Sequence, residues 1–283
     1  MNHQNIKILN TRNEAAALSL IEKSFGYTNE HHYKEDFLPL FDSRFNSHSI
    51  NLYDEEKLIG HLGYCLRDII IKKGKFPFCF IGAIAIEEQY RGKGLFKIMM
   101  NKVIEDLNDE VAGFLLWSSE NQMYEKYGFQ ECGHIYQWGE EEKNIYKEVV
   151  TLSDSQLTQM KKLYEKCWPN RVDRNDKQWQ ALNDISSIKI FIDSSNDQIR
   201  SYYIKNKGFD LDGIIHEYAC IDIDQFLLEF QSMKVWSPIK NKNNFQKLWL
   251  AMARQGNRWP SDLKKINEEF NSLDIMIGGV DSV

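Results

Sequence analysis

The sequence has little of what marks secreted, membrane-spanning or nucleic-acid-binding proteins. Its five cysteines include no Cys-x-x-Cys pair, so it indicates neither a disulfide framework nor a zinc site. No apolar run is long enough to cross a bilayer, and the first residues lack a signal-peptide core. The net charge is −6, whereas a nucleic-acid-binding surface is basic and clustered. We therefore expect a cytoplasmic protein that uses no metal and binds neither membranes nor nucleic acids.

The composition is that of a folded α/β protein. Apolar residues make up 42% of the chain and aromatic residues 13%, which is enough for a packed core and excludes a disordered chain. The length of 283 residues allows one large domain or two.

The most informative segment joins a predicted strand to a predicted helix. Phe78–Ile86 is apolar and rich in aromatic and β-branched residues, as in a strand buried in the middle of a sheet. Leu95–Leu107 has apolar residues at helical spacing, with polar residues on the opposite face. The turn between them contains two glycines, so this segment predicts a strand, a tight turn and an amphipathic helix.

The glycine turn has the chemistry of a diphosphate-binding loop. Gly92 and Gly94 allow several backbone amides to converge at the start of a helix, and Arg91 and Lys93 add positive charge. A Walker loop does not fit, because only one residue separates the glycines and no Gly-Lys-Ser/Thr follows. A dinucleotide-binding loop does not fit either, because it requires a third glycine where Lys97 stands.

Two motifs resemble those of the GCN5-related N-acetyltransferase (GNAT) superfamily. Gln89–Gly94 is similar to the Gln/Arg-x-x-Gly-x-Gly/Ala pyrophosphate loop of that family, which binds acyl-coenzyme A. Tyr124–Phe129 resembles its Tyr-x-x-x-Gly-Phe signature. The predicted order of strands and helices from residue 1 to about 140 is also that of the family. The resemblance implies an α/β (α+β) GNAT fold with a mixed central sheet flanked by helices.

The resemblance also implies roles for individual residues. Tyr124 would be the general acid that protonates the departing thiolate, because the pKa of a phenol lies only slightly above that of a thiol. Backbone amides around Ile84, Ala85 and Ile86 would hold the pantetheine arm and polarise the thioester carbonyl. The diphosphate would bind the amides of the loop and first helical turn: Arg91, Gly92, Lys93, Gly94, Leu95, Phe96 and Lys97.

The second half of the chain shows a weak repeat of the first. Leu163–Trp168 echoes Leu20–Phe25, and similar predicted elements follow in the same order. We infer a GNAT domain at residues 1–145 and a degenerate GNAT-like domain at residues 146–283, which would form one wall of the substrate cleft. Chance similarity is the alternative. Asp222–Glu229 stands where the diphosphate loop would be, and its lack of glycine and its negative charge argue against coenzyme A binding there.

The general base is less clearly indicated. His216 and Glu217 are adjacent polar residues in an otherwise apolar predicted strand, and a base must accept a proton from the substrate ammonium. Either residue could serve, although a hydrogen-bonded core histidine and a strand-edge glutamate are the plainer interpretation. Glu120, His134 and a chain of water molecules are the other candidates.

These observations predict an N-acetyltransferase in which a primary amine directly attacks acetyl-coenzyme A. The substrate would be a small-molecule or peptide amine, and a non-catalytic acyl-coenzyme A sensor or interaction module is the alternative. The sequence leaves the acceptor, the acyl-chain preference and the oligomeric state open. Near the end of the chain it predicts a helix from about Asn243 to Gly256 and a strand at Leu273–Gly278 that could complete a second sheet.

Overall fold

The computed structural model describes residues 6–10, 14–28, 31–208, 210–241 and 245–283. The first half of the chain, to residue 149, contains seven strands and four helices within these residues. In chain order they are β1 (Ile6–Leu9), α1 (Glu14–Phe25), α2 (Tyr33–Asp36), β2 (Ser47–Asp54), β3 (Lys57–Ile71), β4 (Gly74–Ile86), α3 (Leu95–Leu107), β5 (Gly113–Leu116), α4 (Asn121–Glu125), β6 (Gln130–Trp138) and β7 (Lys147–Val149).

The second half continues with seven further strands and four helices in its described residues. They are α5 (Asp154–Cys167), β8 (Asn170–Asp173), α6 (Asp176–Gln180), β9 (Lys189–Ser195), β10 (Gln198–Lys205), β11 (Ile215–Cys220), α7 (Ile223–Glu229), β12 (Val235–Ser237), β13 (Gln246–Gln255), α8 (Ile266–Asn271) and β14 (Ile275–Met276). No helix of the described residues is long and apolar enough to cross a membrane.

The first half has the predicted succession of elements. Strands β1 to β4 are antiparallel neighbours, and α3 then returns the chain so that β5 pairs with β4 in parallel. Helix α3 buries its apolar face, including Leu95, Met99 and Val103, against the sheet. The predicted mixed α/β fold with flanking helices is therefore confirmed.

The second half repeats this arrangement of strands. Strands β9, β10 and β11 are antiparallel neighbours, α7 follows, and β12 then pairs with β11 in parallel. Helix α7 replaces the glycine loop, and the carboxylate of Asp222 accepts a hydrogen bond from the Gln225 amide at its N-terminus. A carboxylate thus caps the first turn of α7, whereas no side chain caps that of α3.

The two halves exchange strands. β13, from the second half, lies between β5 and β6 and is antiparallel to both, while β6, from the first half, is antiparallel to β12. One sheet of 14 strands therefore runs through the described residues. A single apolar core likewise contains residues of both halves, including Leu20, Phe78, Trp168 and Tyr218.

Near the end of the chain one prediction is wrong and another is confirmed only in part. Gln246–Gln255 is strand β13 and not part of a helix, while Asn243 and Asn244 of the predicted range lie outside the described residues. The Leu, Ala and Met residues of β13 favour helix, but hydrogen bonding to the two neighbouring strands β5 and β6 outweighs that weak preference. The predicted last strand, Leu273–Gly278, is shortened to β14. Strand β14 pairs with β8, and β8 in turn pairs with β3.

Candidate functional site

The site lies where β4 and β5 separate. Their parallel pairing runs from Phe78 opposite Gly113 to Ile81 opposite Leu116, where β5 ends while β4 continues to Ile86. A cavity of about 760 Å³ opens there, lined by residues 81–84 of β4 and residues 116–120 after β5. Residues of the second half line its other side. The sheet itself therefore supplies an opening wide enough for an extended ligand.

Strand β4 has a bulge beside this opening. Between the pairs His61–Ala85 and Gly63–Gly82, the single residue Leu62 lies opposite both Ala83 and Ile84, and Ala83 has a φ of 50°. A bulge leaves a residue outside the regular ladder, so its backbone groups are available to other partners. The amide proposed from the sequence to polarise a thioester, that of Ile84, lies at this bulge.

The bulge also allows the second half to approach β4 closely. A Cβ atom on Gly82 would lie 2.5 Å from the carbonyl carbon of Val283 and 3.2 Å from Leu40 Cδ1. Real Cβ atoms do not come so near a backbone atom, so glycine is required for this contact. Gly279, Ser282 and Val283 form part of the cavity wall.

The glycine loop lies at the far end of β4 and leads into α3. Gly92 and Gly94 have φ values of 72° and 80°, which residues with a side chain rarely adopt, and a Cβ on either would meet no atom within 4 Å. Gly94 is the N-cap of α3 and no side chain caps the first turn. The amides of Leu95, Phe96 and Lys97 precede the first helical hydrogen bond, from Ile98 N–H to the Gly94 carbonyl.

Two basic residues of the loop are held by local contacts. Arg91 Nε donates to the Ile86 carbonyl over 3.0 Å, and Lys93 Nζ lies 4.8 Å from the centre of the Tyr90 ring. The Tyr90 hydroxyl in turn donates to Asp54 over 2.6 Å. The loop therefore combines converging amides, a helix N-terminus and two cations at an open surface, which is a suitable arrangement for a diphosphate.

Tyr124 connects the helix after the loop to the cavity. It lines the cavity and is 7% exposed, with its ring edge-to-face against Phe96 and Phe129 at centroid distances of 5.6 and 6.3 Å. Burial raises the pKa of the Tyr124 hydroxyl, and a hydrogen bond to Ser118 partly opposes that rise. The hydroxyl is therefore protonated at neutral pH, as a general acid must be.

Glu217 is placed in a buried ion network instead of the cavity lining. Arg174 donates from Nη1 to Glu217 over 2.9 Å and from Nε to Asp281 over 3.0 Å, and Arg67 donates to Asp281 over 2.7 Å. The Tyr202 hydroxyl also donates to Glu217. With its charge neutralised and its side chain 0% exposed, Glu217 is better suited to holding Arg174 in the core than to accepting a substrate proton.

His216 lines the cavity, but both of its ring nitrogens have partners. The Gly279 amide donates to Nδ1 over 3.0 Å, and Nε2 lies 2.8 Å from the Asn206 carbonyl. Burial lowers the pKa of His216 to about 4, against the opposing effect of the Asn206 hydrogen bond. The ring is therefore neutral, its lone pair accepts from a backbone amide, and its geometry favours a structural role.

Of the other candidate bases, Glu120 lines the cavity, whereas His134 is not among the lining residues. Two charged residues that the sequence analysis did not single out, Lys207 and Asp210, also line it. Lys207 Nζ donates to the carbonyls of Gly279 and Ser282 over 2.6 and 2.8 Å. No short motif surrounds either residue, so the sequence carries no signal for them.

Among the described residues, no group of three or more His, Cys, Asp or Glu side chains could hold a metal ion. The chain matches the family model of the acetyltransferase (GNAT) domain over residues 5–132. No curated protein sequence matches it.

Several solved structures share its fold. A probable N-acyltransferase from Enterococcus faecalis is 17% identical, with 89% of this chain and 73% of that chain covered and a TM-score of 0.67. A GCN5-related N-acetyltransferase from Anabaena variabilis is 16% identical, with 88% and 72% covered and a TM-score of 0.61. Saccharomyces cerevisiae N-myristoyltransferase with bound myristoyl-CoA is 11% identical, with 78% and 64% covered and a TM-score of 0.52.

These identities are low, so the three structures establish a common fold only. The family model matches the part of the chain that contains the glycine loop and Tyr124. Residues 5–132 of this chain thus match a GNAT acetyltransferase domain, and the chain as a whole shares the fold of the structures above.

Proposed function

We propose that this enzyme transfers the acetyl group of acetyl-coenzyme A to the nitrogen of a primary amine. The observation that carries the proposal is the opening between β4 and β5, where a cavity lined by Tyr124 lies beside the strand that leads to the glycine loop. An extended thioester can lie along this opening with its diphosphate at the glycine loop. The structure of N-myristoyltransferase, which shares the fold, contains bound myristoyl-CoA.

The donor would be held mainly by backbone groups. The diphosphate would bind the amides of residues 91–97, and the pantetheine arm would follow residues 84–86 of β4. The thioester oxygen would then lie near the bulge, where preorganised amides stabilise the negative charge that develops on attack.

The proton transfers would follow from the positions of the polar groups. The amine attacks the thioester carbonyl, the C–S bond breaks, and Tyr124 donates its proton to the departing sulfur. The amine must lose a proton, and we propose that this proton leaves through water, with Glu120 as the nearby carboxylate of the lining. Glu217 and His216, which the sequence suggested as bases, would support the wall in which the acceptor binds.

We also propose that residues 1–145 and 146–283 are two GNAT-like units and that the second supplies the acceptor wall. The repeated order of antiparallel strands, helix and parallel strand supports this division. The exchange of β6 and β13 explains how two units could share one sheet. The cytoplasm is the compartment we propose, because five free cysteines suit a reducing environment.

The test is acetyl-coenzyme A turnover with a broad panel of primary amines. Turnover is measured through the release of the free thiol of coenzyme A. We expect turnover with at least one amine and a product acetylated on nitrogen. Binding of acetyl-coenzyme A without turnover of any amine would instead support the sensor alternative. Absence of binding would contradict both.

A further inference from the structure

Two cysteines from distant parts of the second half meet where α5 packs against β11. Cys167 is the last residue of α5, and Cys220 is the last residue of β11. The two thiols share a hydrogen bond, and the Cys220 backbone amide donates a second hydrogen bond to the Cys167 sulfur. Both cysteines are free, so the pair is a dithiol.

The sequence of α5 directs Cys167 towards the sheet. Met160 and Tyr164 are buried, and Cys167 continues this row at helical spacing in the last turn. The next residue, Trp168, fixes this end of the helix. Its indole N–H donates to the Tyr218 carbonyl over 2.6 Å, and the two rings meet edge to face with centroids 5.2 Å apart. The end of α5 therefore has a fixed position beside β11.

The end of β11 is held in a similar way. Cys220 pairs with Ser201 of β10, and the amide of Ile221 donates to the Arg200 carbonyl over 2.9 Å. Cys220 is 7% exposed, whereas Cys167 is half-buried. Because both backbones are held, the two thiols stay adjacent, and Cys167 is the more accessible of the two.

The contacts affect the two thiols unequally. The hydrogen bond from the Cys220 thiol lowers the pKa of Cys167, burial opposes that shift, and the hydrogen bond from the Cys220 amide adds to it. The hydrogen bond with Cys167, and then burial, raises the pKa of Cys220. Cys167 is therefore the thiol that ionises first, and the thiolate is the form that attacks a disulfide.

The other three cysteines lack this combination. Cys65, Cys79 and Cys132 are each 0% exposed, and burial raises the pKa of all three. Buried thiols of this kind are inert. A redox-sensitive cysteine combines a lowered pKa, access to solvent and an adjacent thiol that resolves the first product, and Cys167 has all three.

We propose that Cys167 and Cys220 form a modification site that reacts with small disulfides, such as oxidised glutathione, and closes to an intramolecular disulfide bond. In the first step the Cys167 thiolate attacks one sulfur of the small disulfide, whose S–S bond breaks, and the leaving thiolate takes a proton from water. In the second step Cys220 loses its proton to water and attacks the Cys167 sulfur, which releases the second small thiol. The two protein thiols are oxidised, and the small disulfide is reduced to two thiols.

This site is separate from the proposed acetyl transfer. Neither Cys167 nor Cys220 is among the residues that line the cavity, and no step of the proposed reaction uses either thiol. The inference therefore goes beyond the proposed function and does not depend on it.

The first test uses the native wild-type protein and needs no variant. Brief treatment with iodoacetamide at pH 7, followed by peptide mass spectrometry, measures the rate of alkylation at each cysteine. We expect Cys167 to react about tenfold faster, or more, than Cys65, Cys79 and Cys132. Equal rates would overturn the inference, because Cys167 would not then be the attacking thiol.

The second test follows the exchange reaction itself. The protein is incubated with oxidised glutathione, free thiols are blocked with N-ethylmaleimide, and the peptides are mapped by mass spectrometry. We expect a bond between Cys167 and Cys220 in the wild type, and a glutathione adduct trapped on Cys167 in Cys220→Ser. Cys167→Ser should form neither product at a comparable rate. Cys132→Ala, which removes a thiol outside the pair, should react as the wild type does.

The outcomes decide the assignment. An oxidised wild type without a bond between Cys167 and Cys220, or a Cys167→Ser variant that reacts as fast as the wild type, would overturn the proposed site. Neither measurement uses acetyl-coenzyme A, so a failure of the proposed function would leave both results unchanged.

Discussion

The rings of Phe96 and Tyr124 meet edge to face with their centroids 5.6 Å apart. Phe96 lies in the first turn of α3, next to the glycine loop, and Tyr124 lines the cavity. The contact joins the proposed diphosphate end of the site to its proposed acid. A donor bound by the loop would therefore lie on the same packed unit as the hydroxyl that we propose to protonate its sulfur.

Replacement of Tyr124 by phenylalanine should impair chemistry without impairing binding of the donor. The substitution removes one hydroxyl and retains the ring that packs against Phe96, so the loop should be undisturbed. General acid catalysis contributes about 10²-fold or more, and we expect kcat to fall by about that factor. Steady-state kinetics with acetyl-coenzyme A and an active amine, together with calorimetric binding of coenzyme A, measure the two effects.

Tyr127→Phe is the matched control for this prediction. Tyr127 also packs edge to face on Phe96 at 5.6 Å, but it is not among the residues that line the cavity. Its variant should keep wild-type kcat. A Tyr124→Phe enzyme that turns over at the wild-type rate would remove this tyrosine from the mechanism.

The buried network around Asp281 should make a large contribution to stability. Asp281 is 1% exposed and accepts hydrogen bonds from both Arg67 and Arg174, and these cations keep its pKa below the usual range in spite of burial. Asp281→Asn leaves two buried guanidinium groups without their shared anion. We expect the free energy of unfolding to fall by about 3 to 5 kcal/mol, measured by urea denaturation.

An exposed ion pair provides the comparison. Asp184 pairs with Arg44 over 2.6 Å, but its side chain is 52% exposed. Asp184→Asn should change the free energy of unfolding by no more than about 1 kcal/mol. Equal losses in the two variants would show that the buried network is not the stronger contact.

Stability should fall in mild acid because of His216. Burial lowers the pKa of His216 in the folded protein to about 4 from an unperturbed 6.5. Between those pH values the unfolded chain takes up a proton that the folded chain does not, so stability is lost as the pH falls from about 6.5 towards 4. The full difference corresponds to about 3 kcal/mol.

His216→Gln tests this assignment, because glutamine can accept and donate hydrogen bonds but does not titrate in this range. Unfolding by urea at pH 7, 6 and 5 should show a smaller acid-induced loss in His216→Gln than in the wild type. The exposed His32→Gln variant should behave as the wild type does. Identical pH profiles in wild type and His216→Gln would assign the acid sensitivity to other groups.

The features visible in the sequence are those that depend on neighbouring residues. The glycine loop, the start of α3 and the apolar strand before it are encoded within some thirty residues, and the structure has them where they were predicted. Turn residues and hydrophobic periodicity suffice for such elements.

The features that the sequence does not reveal depend on distant partners. Strand β13 resembles a helix in its composition, and only pairing with β5 and β6 makes it a strand. Glu217 looked like a possible base because its partner Arg174 lies 43 residues away in the chain. Cys167 and Cys220 come together only when α5 packs on β11, so no spacing rule could have associated them.

The central claim is that the glycine loop binds the donor, and the most direct measurement is thermal unfolding with and without excess acetyl-coenzyme A. At about a hundredfold excess over Kd, binding should stabilise the wild type by roughly 2.7 kcal/mol, or several degrees in Tm. Gly92→Asp and Gly92→Asn place side chains of equal size at the same positive φ, and only the first adds negative charge.

We expect a rise in Tm for the wild type, a smaller rise for Gly92→Asn and none for Gly92→Asp, with all three proteins folded in the absence of ligand. An unchanged Tm in the wild type, or an equal rise in Gly92→Asp and Gly92→Asn, would contradict the assignment of the loop as the diphosphate site.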